Sequence, residues 1–135
     1  MLHDKTLTTI EEQVKRLFRQ NLESDRFAVE MTLRHNGKNV TPQLQESLDR
    51  IALLQAGTDV LYNLLSENEK IVIRFHYIQG LDWDCVNGEF EKRWGSGALK
   101  SKRSMINYQN KAFRKMAQYI QNNKNTYDFS WLERL

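Results

Sequence analysis

The sequence predicts an all-α fold, on three observations. Apolar residues recur at spacings of three and four along most of the chain, the period of a helix with one buried stripe. Helix-start signals stand ahead of those runs: Thr41-Pro42, Ser66 with Glu69 three residues on, Asp82 and Ser101. One segment only, 26–40, alternates as a strand would, and no other part of the chain offers a strand to pair with it.

Taken in order, Thr8 or Thr9 caps a first helix, with Glu11 and Glu12 in its first turn, where the helix dipole favours acids. Val14, Leu17, Phe18 and Leu22 mark its apolar stripe. Residues 26–40 read in two ways. Phe27, Val29, Met31 and Leu33 alternate ahead of an Asn36-Gly37 hairpin signal, yet Phe27, Met31 and Arg34 also fit a helix ending at Gly37. The lack of partner strands favours the helix. Thr41-Pro42 opens the next helix, with proline at the first position, where its missing N–H costs nothing. Leu44, Leu48, Ile51, Leu54, Leu61, Leu64 and Leu65 follow, with Gly57 as a candidate break.

Ser66 and Glu69 make a capping box. Ile71, Val72, Phe75 and Ile78 are the expected buried face of the helix it starts, which stops at Gly80. Asp82 caps a short helix carrying Trp83, Val86 and Phe90, followed by an extended connection, 92–100, that holds Lys92, Arg93, Trp94 and Lys100. Ser101 caps a long helix with Met105, Tyr108, Ala112, Met116 and Ile120 inward and Asn122-Asn123 at its end. Trp83 and Cys85 are expected in the core, His76 partly exposed, and Trp94 as a packing anchor. The expected organisation is an N-terminal helical region (1–65), a three-helix unit (66–123) and a tail (124–135) bearing Tyr127, Phe129, Trp131, Leu132 and Leu135.

Composition narrows the function classes. One cysteine allows neither an internal disulfide nor a thiolate zinc cage, and His3, His35 and His76 are too scattered for a metal pattern. No paired carboxylates or nucleophile–base set suggests an enzyme. Gly95-Ser96-Gly97 lacks the Gly-Lys-Ser/Thr ending of a phosphate loop. No cofactor is expected. No apolar run follows Met1-Leu2-His3-Asp4-Lys5, and none reaches the roughly 18 residues of a membrane span. The expectation is a soluble, cytoplasmic chain without a membrane partner.

Charge is the feature that points somewhere. Residues 91–124 carry nine Lys/Arg and a single acid, Glu91, a local charge of +8 in a chain of net +3. Such a block is the footprint of a polyanion-binding surface. It coincides with the helix that opens Ser101-Lys102-Arg103-Ser104. Two packed helices followed by a third with a cationic N-terminus is the layout of a helix-turn-helix.

The stretch LSENEKIVIRFHYIQGLDWDCV, 65–86, resembles the first two helices of region four of bacterial sigma factors, through Leu65, Ser66, Glu67, Glu69, Val72, Ile73, Tyr77, Ile78, Gly80, Leu81, Trp83 and Val86. Residues 101–120 resemble its third helix, with Ala112-Phe113-Arg114-Lys115-Met116 in place of an Ala-Leu-x-Lys-Leu ending. With a short helical N-terminus ahead of one such unit, the chain resembles the ArpU-type and RinA-type phage late-gene transcriptional regulators. The resemblance implies sequence-specific binding of double-stranded DNA, with RNA polymerase as a second partner. It places Lys102, Arg103, Ile106 and Asn107 at positions that face bases, where paired donors and acceptors on Arg and Asn fit guanine and adenine edges. Ser101, Ser104, Lys92, Arg93, Lys100, Lys111, Arg114 and Lys115 are the expected phosphate contacts. The chain departs from the pattern at Asn87, which replaces a small apolar residue, and in the longer 92–100 connection.

A protein-interaction module is the competing class: a sigma-like surface that contacts polymerase without specific DNA contact. One helix-turn-helix reads only about four to six base pairs, so such units gain reach by pairing or by riding on polymerase. A homodimer is therefore expected, held mainly by residues 8–65 and reading a two-fold-symmetric site, with the aromatic tail as a second candidate surface.

Overall fold

The computed structural model describes residues 5–37 and 39–135. Every regular element among them is helical: α1 (Lys5–Phe18), α2 (Leu22–His35), α3 (Pro42–Tyr62), α4 (Glu67–Ile71) continuing as a π-helical segment (Val72–Ile78), α5 (Trp83–Trp94), α6 (Lys102–Asn123) and a closing 3-10 helix (Ser130–Arg134). None of the described helices is long and apolar enough to cross a membrane. The chain divides into two compact units. One joins α1 to everything from Leu61 onward, and the other is Gln20–Val60.

In the Gln20–Val60 unit, the ambiguous segment is a helix. The Asn21 side chain accepts the Ser24 N–H at 3.1 Å to cap α2, and the chain leaves it through Asn36 and Gly37, the latter at φ 65°. The Thr41 hydroxyl accepts the Leu44 N–H at 3.2 Å ahead of Pro42, as the Thr-Pro signal predicts. Helix α3 then runs uninterrupted through Gly57, the candidate break.

The other unit is built around α6, which buries two faces rather than the one stripe that periodicity suggests. On one side Ile71, Val72, Val86, Phe90 and Met105 form a core, with Phe75, Leu81, Trp83 and Tyr108 packed against it. On the other side α1 packs along α6. Phe113 meets Phe18 edge-on at 6.4 Å and Tyr77 at 4.7 Å, and the Tyr77 hydroxyl donates to the Lys15 carbonyl at 3.1 Å. The 3-10 helix lies against α1, with Leu132 buried.

These contacts correct the expected boundaries. α1 belongs with the three-helix unit, because Phe113 and Ala117 give α6 a second apolar face that needs a cover. Val14, Leu17 and Phe18, expected on a dimer surface, are buried within the chain, as is Leu132 of the tail.

Four local expectations also change. Thr8 and Thr9 lie inside α1, where the Thr9 hydroxyl turns back to the Lys5 carbonyl at 3.0 Å, and Glu11 and Glu12 lie past the first turn. The π segment rotates the buried face, because its bonds reach back five residues, as from the Gln79 N–H to the Arg74 carbonyl at 3.1 Å. Ile73 is consequently buried, while Ile78 is 48% exposed. Gly80 at φ 72° ends that segment, and the Leu81 N–H returns to the Phe75 carbonyl at 2.9 Å. Cys85 is exposed, and Trp83 is half-buried with its ring stacked on His76 at 3.6 Å.

Candidate nucleic-acid interface

Helix α6 starts where the sequence says it should. The Ser101 hydroxyl accepts the Ser104 N–H at 3.1 Å and donates to the Ser104 hydroxyl at 3.0 Å. Beyond this cap Met105, Ala112 and Met116 turn inward, so residues at the opposite helical angle face out. Arg103, Asn107 and Lys111, at steps of four, form one exposed strip, and Lys102 is exposed in the first turn. Asn110 is exposed on the same strip, seven residues from Arg103 and three from Asn107. The sequence reading missed it, although that spacing alone placed it there. Ser104 and Ile106 are half-buried at the edge.

Ion pairing divides the cationic block in two. Among the described residues Lys100, Lys102, Arg103 and Lys111, and Lys124 past the far end of α6, have no acidic partner within salt-bridge distance. The other four are paired: Lys92 with Glu89 at 3.0 Å, Arg93 with Glu67 at 3.6 Å, Arg114 with Glu11 at 2.6 Å and Lys115 with Glu69 at 2.6 Å. Lys92 and Arg93 also sit in the last turn of α5 rather than in a loop, because the helix runs on to Trp94. They line an open cleft with Tyr62, Lys70, Arg74 and Phe75.

Lys115 joins a buried arrangement. Glu69 is 1% exposed, and its Oε1 accepts both the Lys115 ammonium at 2.6 Å and the Ser66 N–H at 2.8 Å. The Ser66 hydroxyl accepts the Glu69 N–H at 3.2 Å, completing the capping box. Burial pushes the Glu69 carboxyl up, but the hydrogen bonds from Lys115 and Ser66 and the Lys115 charge pull it further down, leaving it below its ordinary value. The residue that caps α4 therefore also ties α4 to α6.

Two asparagines set the approach to the exposed strip. The Asn87 amide donates to the Lys100 carbonyl and accepts the Lys100 N–H, both at 2.8 Å. This pair of hydrogen bonds fixes the backbone one residue before the α6 cap, so Asn87 secures the longer connection. Its polarity in a place that resembles a small apolar site was the available signal. Asn68 accepts the Trp94 indole N–H at 3.0 Å and donates to the Tyr108 hydroxyl at 3.2 Å, linking α4, α5 and α6. Trp94 is thus an anchor, though it is held by a hydrogen bond at an exposed position. Asn87→Ala is expected to cost about 1–2 kcal/mol, since two backbone groups lose their partners. Urea denaturation followed by circular dichroism measures this, and an unchanged midpoint would contradict the tether.

A scan against protein-family models and searches of curated proteins and of solved structures return no match. Among the described residues no cluster of His, Cys, Asp or Glu is placed to hold a metal ion.

Proposed function

We propose that this chain is a sequence-specific, double-stranded DNA-binding transcriptional regulator. In this reading α4, α5 and α6 act as a helix-turn-helix, with the N-terminal half of α6 in the major groove. The observation that carries it is the α6 strip. Arg103, Asn107 and Lys111 share one exposed face, and Lys100, Lys102, Arg103 and Lys111 carry positive charge that no acid of the described chain neutralises. A solvated face evolved only for solubility tends to mix signs, whereas a duplex-reading face combines free cations for phosphate with planar donors for base edges. The resemblance of 65–120 to sigma region four and to phage late-gene regulators supports the same reading.

Within it, Arg103 and Asn107 read bases, and Lys100, Lys102 and Lys111 contact phosphate. Arg114 and Lys115 hold the helix in place, and Arg93 and Lys92 stand with their acids on the cleft side. The test is selection from fragmented bacterial and phage genomic DNA, followed by sequencing of what the protein retains. The reading expects a shared motif of a few base pairs. Retained fragments with no common sequence would refute it and favour a polymerase-binding module.

A further inference from the structure

Helix α2 carries apolar residues on two opposite sides. Leu22 is buried and Val29 and Leu33 are half-buried on one side. At 100° per residue, Phe27 and Met31 fall on the other, where they are 63% and 46% exposed. Within its own unit α2 does not pack along α3. Phe27 and Met31 are therefore left uncovered in the described structure.

The flanks of that face have a pattern. Phe27 and Met31 lie two residues either side of Val29. On the same side of the helix, Glu23 and Ser24 lie toward the N-terminus, and Arg34 and His35 at matching distances toward the C-terminus. Rotated by half a turn about the level of Val29, the face becomes its own complement. Phe27 then meets Met31 of a second copy, Met31 meets its Phe27, and Glu23 stands opposite its Arg34 and His35. A parallel pairing would instead set Glu23 against Glu23.

We infer that α2 is a self-association surface whose occupant is the α2 helix of a second copy of this chain, paired antiparallel about a two-fold axis. An isologous pair of this kind needs a patch complementary to itself, and this face has both the apolar centre and the reversed charges. A 14-residue helix is short. Specific interfaces typically bury about 800 Å² on each partner, more than one short helix face offers, so the expected pair is weak, roughly micromolar.

The inference does not depend on DNA binding, and its test uses none. Sedimentation of the full chain from about 1 to 200 µM brackets that affinity and should show a concentration-dependent dimer. Phe27→Asp with Met31→Asp should leave a monomer throughout with unchanged helical circular dichroism, since both side chains are exposed. Glu23→Arg should weaken the pair about threefold to tenfold, because each surface charge contact occurs twice. Adding Arg34→Glu to Glu23→Arg should restore it. A wild-type monomer at the highest concentration, a dimer that survives loss of Phe27 and Met31, or a charge reversal that the second change does not rescue would each overturn the assignment.

Discussion

Lys115→Ala is expected to lower the stability of the folded chain by about 3 kcal/mol, and its melting temperature by roughly 10 °C. The cause lies in what stays behind. Glu69 is buried, its Oε2 already has no hydrogen-bond partner in the described structure, and Oε1 would keep only the Ser66 N–H. Lys115 is itself partly exposed, but removing it strands the buried Glu69 carboxylate, which costs more than the pair itself contributes. Glu69→Gln added to Lys115→Ala should recover most of the loss, because glutamine at this position still closes the capping box and carries no charge. Thermal unfolding of the two variants beside the wild type decides this. Equal melting temperatures for Lys115→Ala and wild type would show that the contact is not structural.

The pH dependence follows from the same contact. The folded-state carboxyl of Glu69 sits below the ordinary 4.5. Its contribution is therefore present above the unfolded value and lost as pH falls through the folded one. The stability gap between wild type and Lys115→Ala should be full near neutral pH and narrow in acid, below about pH 4.5. Within the proposed function, Lys115→Ala should change the DNA affinity of the folded protein little.

The second large effect is on recognition. Arg103→Ala and Asn107→Ala should each weaken a selected site by about 1–3 kcal/mol and relax base preference at one position. Both side chains project from the exposed strip, four residues apart, so neither change should move the melting temperature. Lys111→Ala, one turn further on, should weaken all duplexes alike. Binding of each variant to the selected site and to single-base variants of it separates the two behaviours. A uniform loss for Arg103→Ala, matching Lys111→Ala, would put the reading register elsewhere on α6.

Much of this fold is legible in the sequence. Four helix starts are, because Thr41, Ser66, Asp82 and Ser101 cap the helices they precede through hydrogen bonds three residues long, whereas the starts of α1 and α2 are not. The inward positions of α6 are as well, since a 3.6-residue period fixes which side chains align. Long-range pairing was hidden. Nothing local distinguishes Lys111, which faces solvent, from Lys115, which reaches Glu69 across 46 positions. The same limit concealed the Glu11–Arg114 pair and with it the attachment of α1 to α6. The π segment was invisible for another reason: five-residue winding breaks the period that the reading relies on, so Ile73 and Ile78 exchanged roles. For the site, the helical period alone aligned Arg103, Asn107 and Lys111 on one exposed face, but Asn110 was passed over, and the separation of free from paired cations required the fold.

The central claim, that the α6 strip binds duplex DNA through charges the fold leaves unpaired, is tested most directly by the salt dependence of binding to a selected fragment. Each neutralised phosphate contributes about −0.9 to the slope of log K against log salt concentration. The three unpaired cations assigned to phosphate, Lys100, Lys102 and Lys111, predict a slope of roughly −2.7 per protein chain, falling in magnitude by nearly one for Lys111→Ala. A slope near zero, or one that Lys111→Ala leaves unchanged, would contradict the account.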